Sequence, residues 1–105
     1  MKRVYYLSTC DKCKRILSEV EDIDTYELID IKQQPISEAV LDQLYLFMGS
    51  YESLFNKRAI KFKDEKIKSE IKGDNDYRRL ILAEYTFIKR PIFLNGEKIG
   101  VERAV

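Results

Sequence analysis

Hydrophobic positions change their period several times along the chain, and each change marks a predicted element. Arg3-Val4-Tyr5-Tyr6-Leu7 is a short apolar, aromatic run and predicts a buried strand over residues 3–7. Apolar positions then fall at Cys13, Ile16, Leu17 and Val20, the i, i+3, i+4, i+7 spacing of one helical face. Thr9 or Cys10 caps that helix, and it ends near Val20. Thr25 to Ile31 (TYELIDI) predicts a second strand. The connection holds nothing else, so the unit is β-α-β, with parallel strands and a right-handed crossover. Lys32-Gln33-Gln34-Pro35 breaks the pattern. Ser37 then caps a helix with Val40, Leu41, Leu44 and Met48 on its apolar side, and Gly49 ends it. A short helical turn is predicted at Tyr51–Phe55, and a helix at Asp64–Ile71 that stops at Gly73. A last helix, capped by Asp74 or Asn75, runs to about Glu84 with Leu80, Ile81 and Ala83 inward. Near the end, Ile92–Leu94 folds back onto Glu97–Val101. Asn95-Gly96 is the expected two-residue turn, in which both central residues take positive φ.

No repeat or low-complexity linker interrupts this series. It predicts one domain over residues 1–105, with a helical insertion at about 37–85 between the β-α-β unit and the hairpin. The chain is 45% hydrophobic, which sets it apart from disordered sequences. No apolar run reaches the ~20 residues of a membrane span. Met1-Lys2-Arg3-Val4 leads straight into a strand pattern without an apolar signal region, so a cytoplasmic location is expected and a membrane is not. The net charge of +1 is too small to suggest direct nucleic-acid binding. The most basic stretch, Asn56–Lys72, reads as a solvated face.

Chemistry concentrates in Ser8-Thr9-Cys10-Asp11-Lys12-Cys13-Lys14-Arg15. This segment holds both cysteines of the chain, as a Cys-x-x-Cys pair where a strand gives way to a helix. The chain has no histidine, which excludes Cys-His and Ser-His catalysis and histidine-ligated metals. Two cysteines supply only half of a structural zinc site, so no metal is expected. Cys10 falls at the helix start, where unpaired backbone N–H groups and the helix dipole favour a thiolate. Lys12, Lys14 and Arg15 add positive charge and Asp11 opposes it. Thiols in such places ionise at about 3.5–7.5 rather than about 8.5. Cys13 lies on the apolar stripe and is the more buried of the two. Cys10 is then the attacking thiol and Cys13 the thiol that resolves a mixed disulfide.

The order β-α-β, helical middle, β-hairpin, with a dithiol after the first strand, is that of the thioredoxin-like fold, an α/β fold with a mixed four-stranded sheet. In that fold a cis-proline faces the dithiol, and Arg90-Pro91 occupies the corresponding place. With Ser8-Thr9-Cys10, Leu54-Phe55-Asn56-Lys57-Arg58, Ile88-Lys89-Arg90-Pro91-Ile92 and the trailing Gly100 in place, the chain resembles the arsenate reductase ArsC / Spx family. The resemblance spans nearly the whole chain. It implies a thiol–disulfide oxidoreductase resembling arsenate reductase, reduced by glutathione or by a glutaredoxin or thioredoxin system, with no bound cofactor. It offers as alternative an Spx-like redox sensor that binds RNA polymerase, with Gly49 as a contact. Cys13 stands where the arsenate enzymes usually lack a cysteine, and there the chain resembles Spx. Of the three arginines those enzymes place around the oxyanion, Arg90 carries over. Arg58 matches the Asn-x-Arg pattern of other members, and Arg103 corresponds by position only. Arg90, held extended by the following proline, is the expected clamp for an oxyanion or carboxylate. Arg58, Pro91 and Lys12 complete the expected substrate-binding set. The C-terminal helix usual in relatives is expected to be absent here or reduced to a turn.

Overall fold

The computed structural model describes residues 2–105 and divides them into two compact units. The first is the chain up to Pro35 together with Arg90–Val105, and the second is Ile36–Lys89.

The first unit contains β1 (Lys2–Tyr6), α1 (Asp11–Ser18), β2 (Glu27–Asp30), β3 (Ile92–Asn95) and β4 (Lys98–Val101). The strands form one mixed sheet in the order β2-β1-β3-β4. β1 runs parallel to β2 and antiparallel to β3, and β3 and β4 form the hairpin. This is the thioredoxin-like arrangement. The two central strands carry the densest apolar runs. Val4 and Tyr5 of β1 and Ile92, Phe93 and Leu94 of β3 are all buried, as expected of strands with neighbours on both edges and cover on both faces. Val4 faces Phe93 in the β1–β3 register. These two and Tyr26 make a core against which Tyr6, Ile16, Leu17, Val20 and Ile23 pack. Tyr26 meets Phe93 edge-on, with ring centroids 5.6 Å apart, the geometry favoured by the ring quadrupoles.

Besides one-residue shifts at the ends of β1 and β2, the observed elements depart from expectation at three places within this unit. α1 stops at Ser18 because the Glu19 and Val20 N–H groups bond three residues back, to Ile16 and Leu17, tightening the last turn. β2 begins at Glu27 rather than Thr25. The Thr25 N–H and hydroxyl both donate to the Asp22 carbonyl and draw it into a short 3₁₀ turn, Ile23–Thr25. The hairpin turn is Gly96-Glu97, one residue later than predicted. Asn95 pairs with Lys98 inside the ladder, and Gly96, at φ 63°, takes the first central position alone in the left-handed region. Gly100 is required by a close approach: a Cβ there would collide with the backbone carbonyl of Arg103 and press on Ala104. Residues 102–105 fold back over it without forming a helix.

The second unit contains α2 (Glu38–Met48), α3 (Glu65–Ser69) and α4 (Asp74–Ala83), joined by short 3₁₀ turns. Ser37 caps α2 by accepting from the Val40 N–H, and Gly49, at φ 89°, ends it. The cap of α4 differs from expectation: Gly73 is the N-cap residue. Asp76 accepts from the Lys72 and Gly73 N–H groups. Asp74 is committed elsewhere, accepting from the Tyr51 and Glu52 N–H groups. Phe55 centres the unit's aromatic core, with Phe62, Tyr77 and Phe87 rings at 4.9–5.0 Å. The Lys89 N–H bonds the Leu54 carbonyl at 2.8 Å and ties the unit's last residue to its middle. Among the described residues no helix is long and apolar enough to cross a membrane.

The core predicts a sharp response at Phe93, which is fully buried at the sheet centre. Phe93→Ala should lower unfolding free energy by ~3–5 kcal/mol, the usual cost of a truncated buried aromatic. Urea titration followed by circular dichroism measures it, and a loss under 1 kcal/mol, on the order of a surface substitution, would contradict the packing described.

Candidate functional site

The sheet register builds the site. β1 and β3 are antiparallel and Tyr5 pairs with Ile92, so the C-terminal end of β1 meets the N-terminal end of β3. The first end leads into Cys10 and α1, and the second is preceded by Arg90-Pro91. Residues 80 positions apart are thereby brought together by main-chain pairing.

Cys10 is the N-cap residue of α1, in extended conformation (φ −94°, ψ 116°). Its N–H donates to the Leu7 carbonyl at 3.0 Å and its carbonyl accepts the first helical bond from Lys14 at 3.1 Å. The two possibilities left open for the cap resolve to Cys10, and Thr9 is exposed in the turn before it. Cys10 is half-buried and Cys13 is fully buried, and both are free thiols. The Arg90-Pro91 bond is cis, and Pro91 is buried beside half-buried Arg90.

Electrostatics separate the two thiols. Burial alone would raise the Cys10 thiol. The Cys13 backbone amide, the Cys13 side chain and the Arg90 guanidinium outweigh it and hold Cys10 below the ordinary thiol value. Cys13 is pushed up to about 11, first by burial and then by the neighbouring Cys10 thiolate, against a lowering contribution from the Leu7 backbone. One sulfur is prepared to lose its proton and the other to keep it. Arg90 acts on Cys10 both as hydrogen-bond donor and as positive charge.

The remaining expected residues divide. Lys12 lies in the first turn of α1, with its ammonium paired to the Glu102 carboxylate. Arg58 belongs to the second unit, where its side chain is exposed and its N–H donates to Asn56 Oδ1 at 3.2 Å. Arg103 is exposed and, with Arg15, Ile16, Glu19, Val20, Glu102 and Ala104, lines a shallow groove along α1. No group of residues suited to hold a metal ion occurs among the described residues.

Two residues at the site escaped the sequence reading. Asp30 ends β2, opposite Tyr6 in the parallel register. Burial would raise its carboxyl, but hydrogen bonds with Ser8 and the Lys32 N–H keep it below its ordinary value, tying the turn that leads to Cys10. An acidic residue closing the second strand of a β-α-β unit is the signal that could have found it. Glu102 left no local signal, because its partner Lys12 is 90 residues away.

A thioredoxin-like sheet with a dithiol at the first helix and a cis-proline opposite defines a class of thiol-bearing proteins, and comparison with known proteins narrows it. No protein-family profile matches the chain. Uncharacterized protein YusI of Bacillus subtilis is 30% identical over 97 residues, covering 89% of this chain and 80% of the relative. A putative arsenate reductase from Yersinia pestis superposes with a TM-score of 0.80 at 18% identity, over 96% of this chain and 91% of that one. A possible arsenate reductase from Streptococcus mutans superposes with a TM-score of 0.72 at 25% identity, over 95% and 87%. The chain belongs to the ArsC/Spx-like family.

The split between the thiols predicts selective alkylation. At pH 7 iodoacetamide should modify Cys10 and spare Cys13 in the folded protein. The rate should rise with pH through a midpoint below that of an ordinary thiol. Arg90→Ala, which removes a donor and a charge that favour the thiolate, should move that midpoint upward. Peptide mapping after timed labelling gives both results, and preferential labelling of Cys13 would contradict the assignment.

Proposed function

We propose that the protein is a thiol–disulfide oxidoreductase resembling arsenate reductase, with Cys10 as nucleophile and Cys13 as resolving thiol. One observation carries this reading: the half-buried Cys10 sulfur stands at the N-cap of α1 with Cys13 and Arg90 both favouring its thiolate. Against a disulfide, the Cys10 thiolate attacks one sulfur, forms a mixed disulfide and releases the other half as a thiolate. Attack removes the negative charge from Cys10. That charge is one of the causes holding the Cys13 proton, so Cys13 ionises more readily once Cys10 is occupied. Cys13 then attacks the Cys10 sulfur, expels the second thiolate and closes a Cys10–Cys13 disulfide. Two electrons pass from the dithiol to the substrate. Against arsenate, Cys10 displaces one oxygen as water, and Arg90 binds the oxyanion. Attack of Cys13 on the Cys10 sulfur releases trivalent arsenite and leaves the same disulfide. Glutathione, glutaredoxin or thioredoxin would return it to the dithiol, and the cytoplasm is the compartment where such reductants keep it cycling.

A second reading, an Spx-like redox sensor that binds RNA polymerase, is favoured by a separate observation. Leu46 and Phe47, 82% and 51% exposed, stand on the last turn of α2 immediately before Gly49. Exposed apolar side chains next to that glycine suit contact with a protein. Gly49 ends α2 in the left-handed region, so replacing it would disturb the helix end, and Phe47→Ser is the cleaner probe.

Arsenate-dependent and disulfide-dependent turnover, each coupled to glutaredoxin or thioredoxin, tests the first reading. Cys10→Ser should abolish turnover. Arg90→Ala should reduce it ~10–100-fold, the loss expected from one charge-assisted hydrogen bond. Absence of turnover in the unmodified protein with every reductant would remove the enzyme reading. RNA polymerase co-purification that Phe47→Ser abolishes would then favour the sensor.

A further inference from the structure

Glu102 makes two connections at the dithiol site. It follows β4 directly and is the sole non-glycine among the described residues with positive φ, at 62°. Side chains seldom adopt that conformation without compensation from their surroundings. Its N–H donates to the Pro91 carbonyl at 2.7 Å. Its carboxylate takes up the Lys12 ammonium. The first contact fixes the segment that presents Arg90 and Pro91. The second fixes the first turn of α1, which carries both cysteines. Gly100 lets the backbone of residues 103 and 104 fold in closely behind, so the residues on both sides of Glu102 are held.

We propose that Glu102 is a positioning residue of the dithiol site. It holds Arg90-Pro91 and the α1 first turn in one arrangement, and it neutralises Lys12 so that Arg90 is the cation set against the Cys10 sulfur. The inference rests on the oxidoreductase reading for its significance, but the pairing itself can be tested without turnover. Cys13 and Arg90 act on Cys10 directly; the other charged groups on the elements that meet there are Asp11, Lys12, Lys14 and Arg15 on α1 and Glu102 and Arg103 after β4. Asp30 reaches the turn through Ser8. Within this set Lys12 and Glu102 are a cation and an anion paired with each other. Removing either one exposes the other.

The sign of each change follows from charge. Glu102→Gln keeps the backbone contact with Pro91 and leaves the Lys12 cation unpaired, so the thiolate gains stability. The Cys10 alkylation midpoint should fall by ~0.5 pH units, about a threefold rise in thiolate on the low-pH side. Lys12→Met leaves the carboxylate unpaired, and the midpoint should rise by a similar amount. The double variant should return towards the unmodified protein. All four proteins are compared by iodoacetamide labelling across pH, with peptide mapping at Cys10. Opposite shifts in the single variants that cancel in the double support the proposal. Shifts of the same sign, which loosening of the site would produce, overturn it, and so do four identical midpoints. If Glu102→Gln does not fold, Lys12→Met alone decides: an upward shift supports the pairing and no shift overturns it. The oxidoreductase reading fails separately, through an ordinary midpoint in the unmodified protein.

Discussion

The antiparallel pairing of β1 with β3 is the constraint on which the site depends. It places Val4 against Phe93 in the core and, in the same register, sets the end of β1 beside the start of β3. The dithiol site forms at that end. The turn after Tyr6 carries Cys10 to the helix start, and the residues before Ile92 bring Arg90 and the cis-proline to meet it. The main-chain ladder and a buried aromatic core, rather than a local motif, make a weak Cys-x-x-Cys pattern into a site.

The site also shows how two thiols three residues apart acquire different chemistry. Cys10 is partly open to solvent and faces a guanidinium and backbone amides, which outweigh the burial opposing its ionisation. Cys13 belongs to the apolar stripe of α1 and is fully buried, so the dominant influence on it is desolvation. Each cysteine also acts on the other: the Cys13 side chain stabilises the Cys10 thiolate, and that charge restrains Cys13. In the proposed redox cycle this asymmetry sets the order of events, because the thiol that ionises first is also the less buried one.

Much of the first unit was legible in the sequence, because β1, α1 and the hairpin have apolar periods strong enough to stand alone. The helix cap at Cys10 and the pairing of Ile92–Leu94 with the last strand rest on nearest-neighbour chemistry. What the sequence hid was decided by competition between groups. Thr25 reads as strand but bonds back to Asp22. Asp74 reads as a cap but serves Tyr51 and Glu52. Asn95-Gly96 reads as the turn, yet the ladder keeps Asn95 and moves the turn on by one residue. At the site, Cys10, Cys13 and Arg90 were readable from motif and family resemblance. Asp30 and Glu102 were not, since their partners come from distant segments that only the folded sheet brings near.

In the proposed cycle Cys10 attacks and Cys13 completes the exchange within one chain. Reaction of the reduced protein with one equivalent of oxidised glutathione, followed by intact-mass analysis, tests it most directly. The unmodified protein should end as an internal Cys10–Cys13 disulfide with no glutathione attached, while Cys13→Ser keeps one glutathione on Cys10. A stable glutathione adduct on the unmodified protein, or an adduct carried by Cys13, would contradict it.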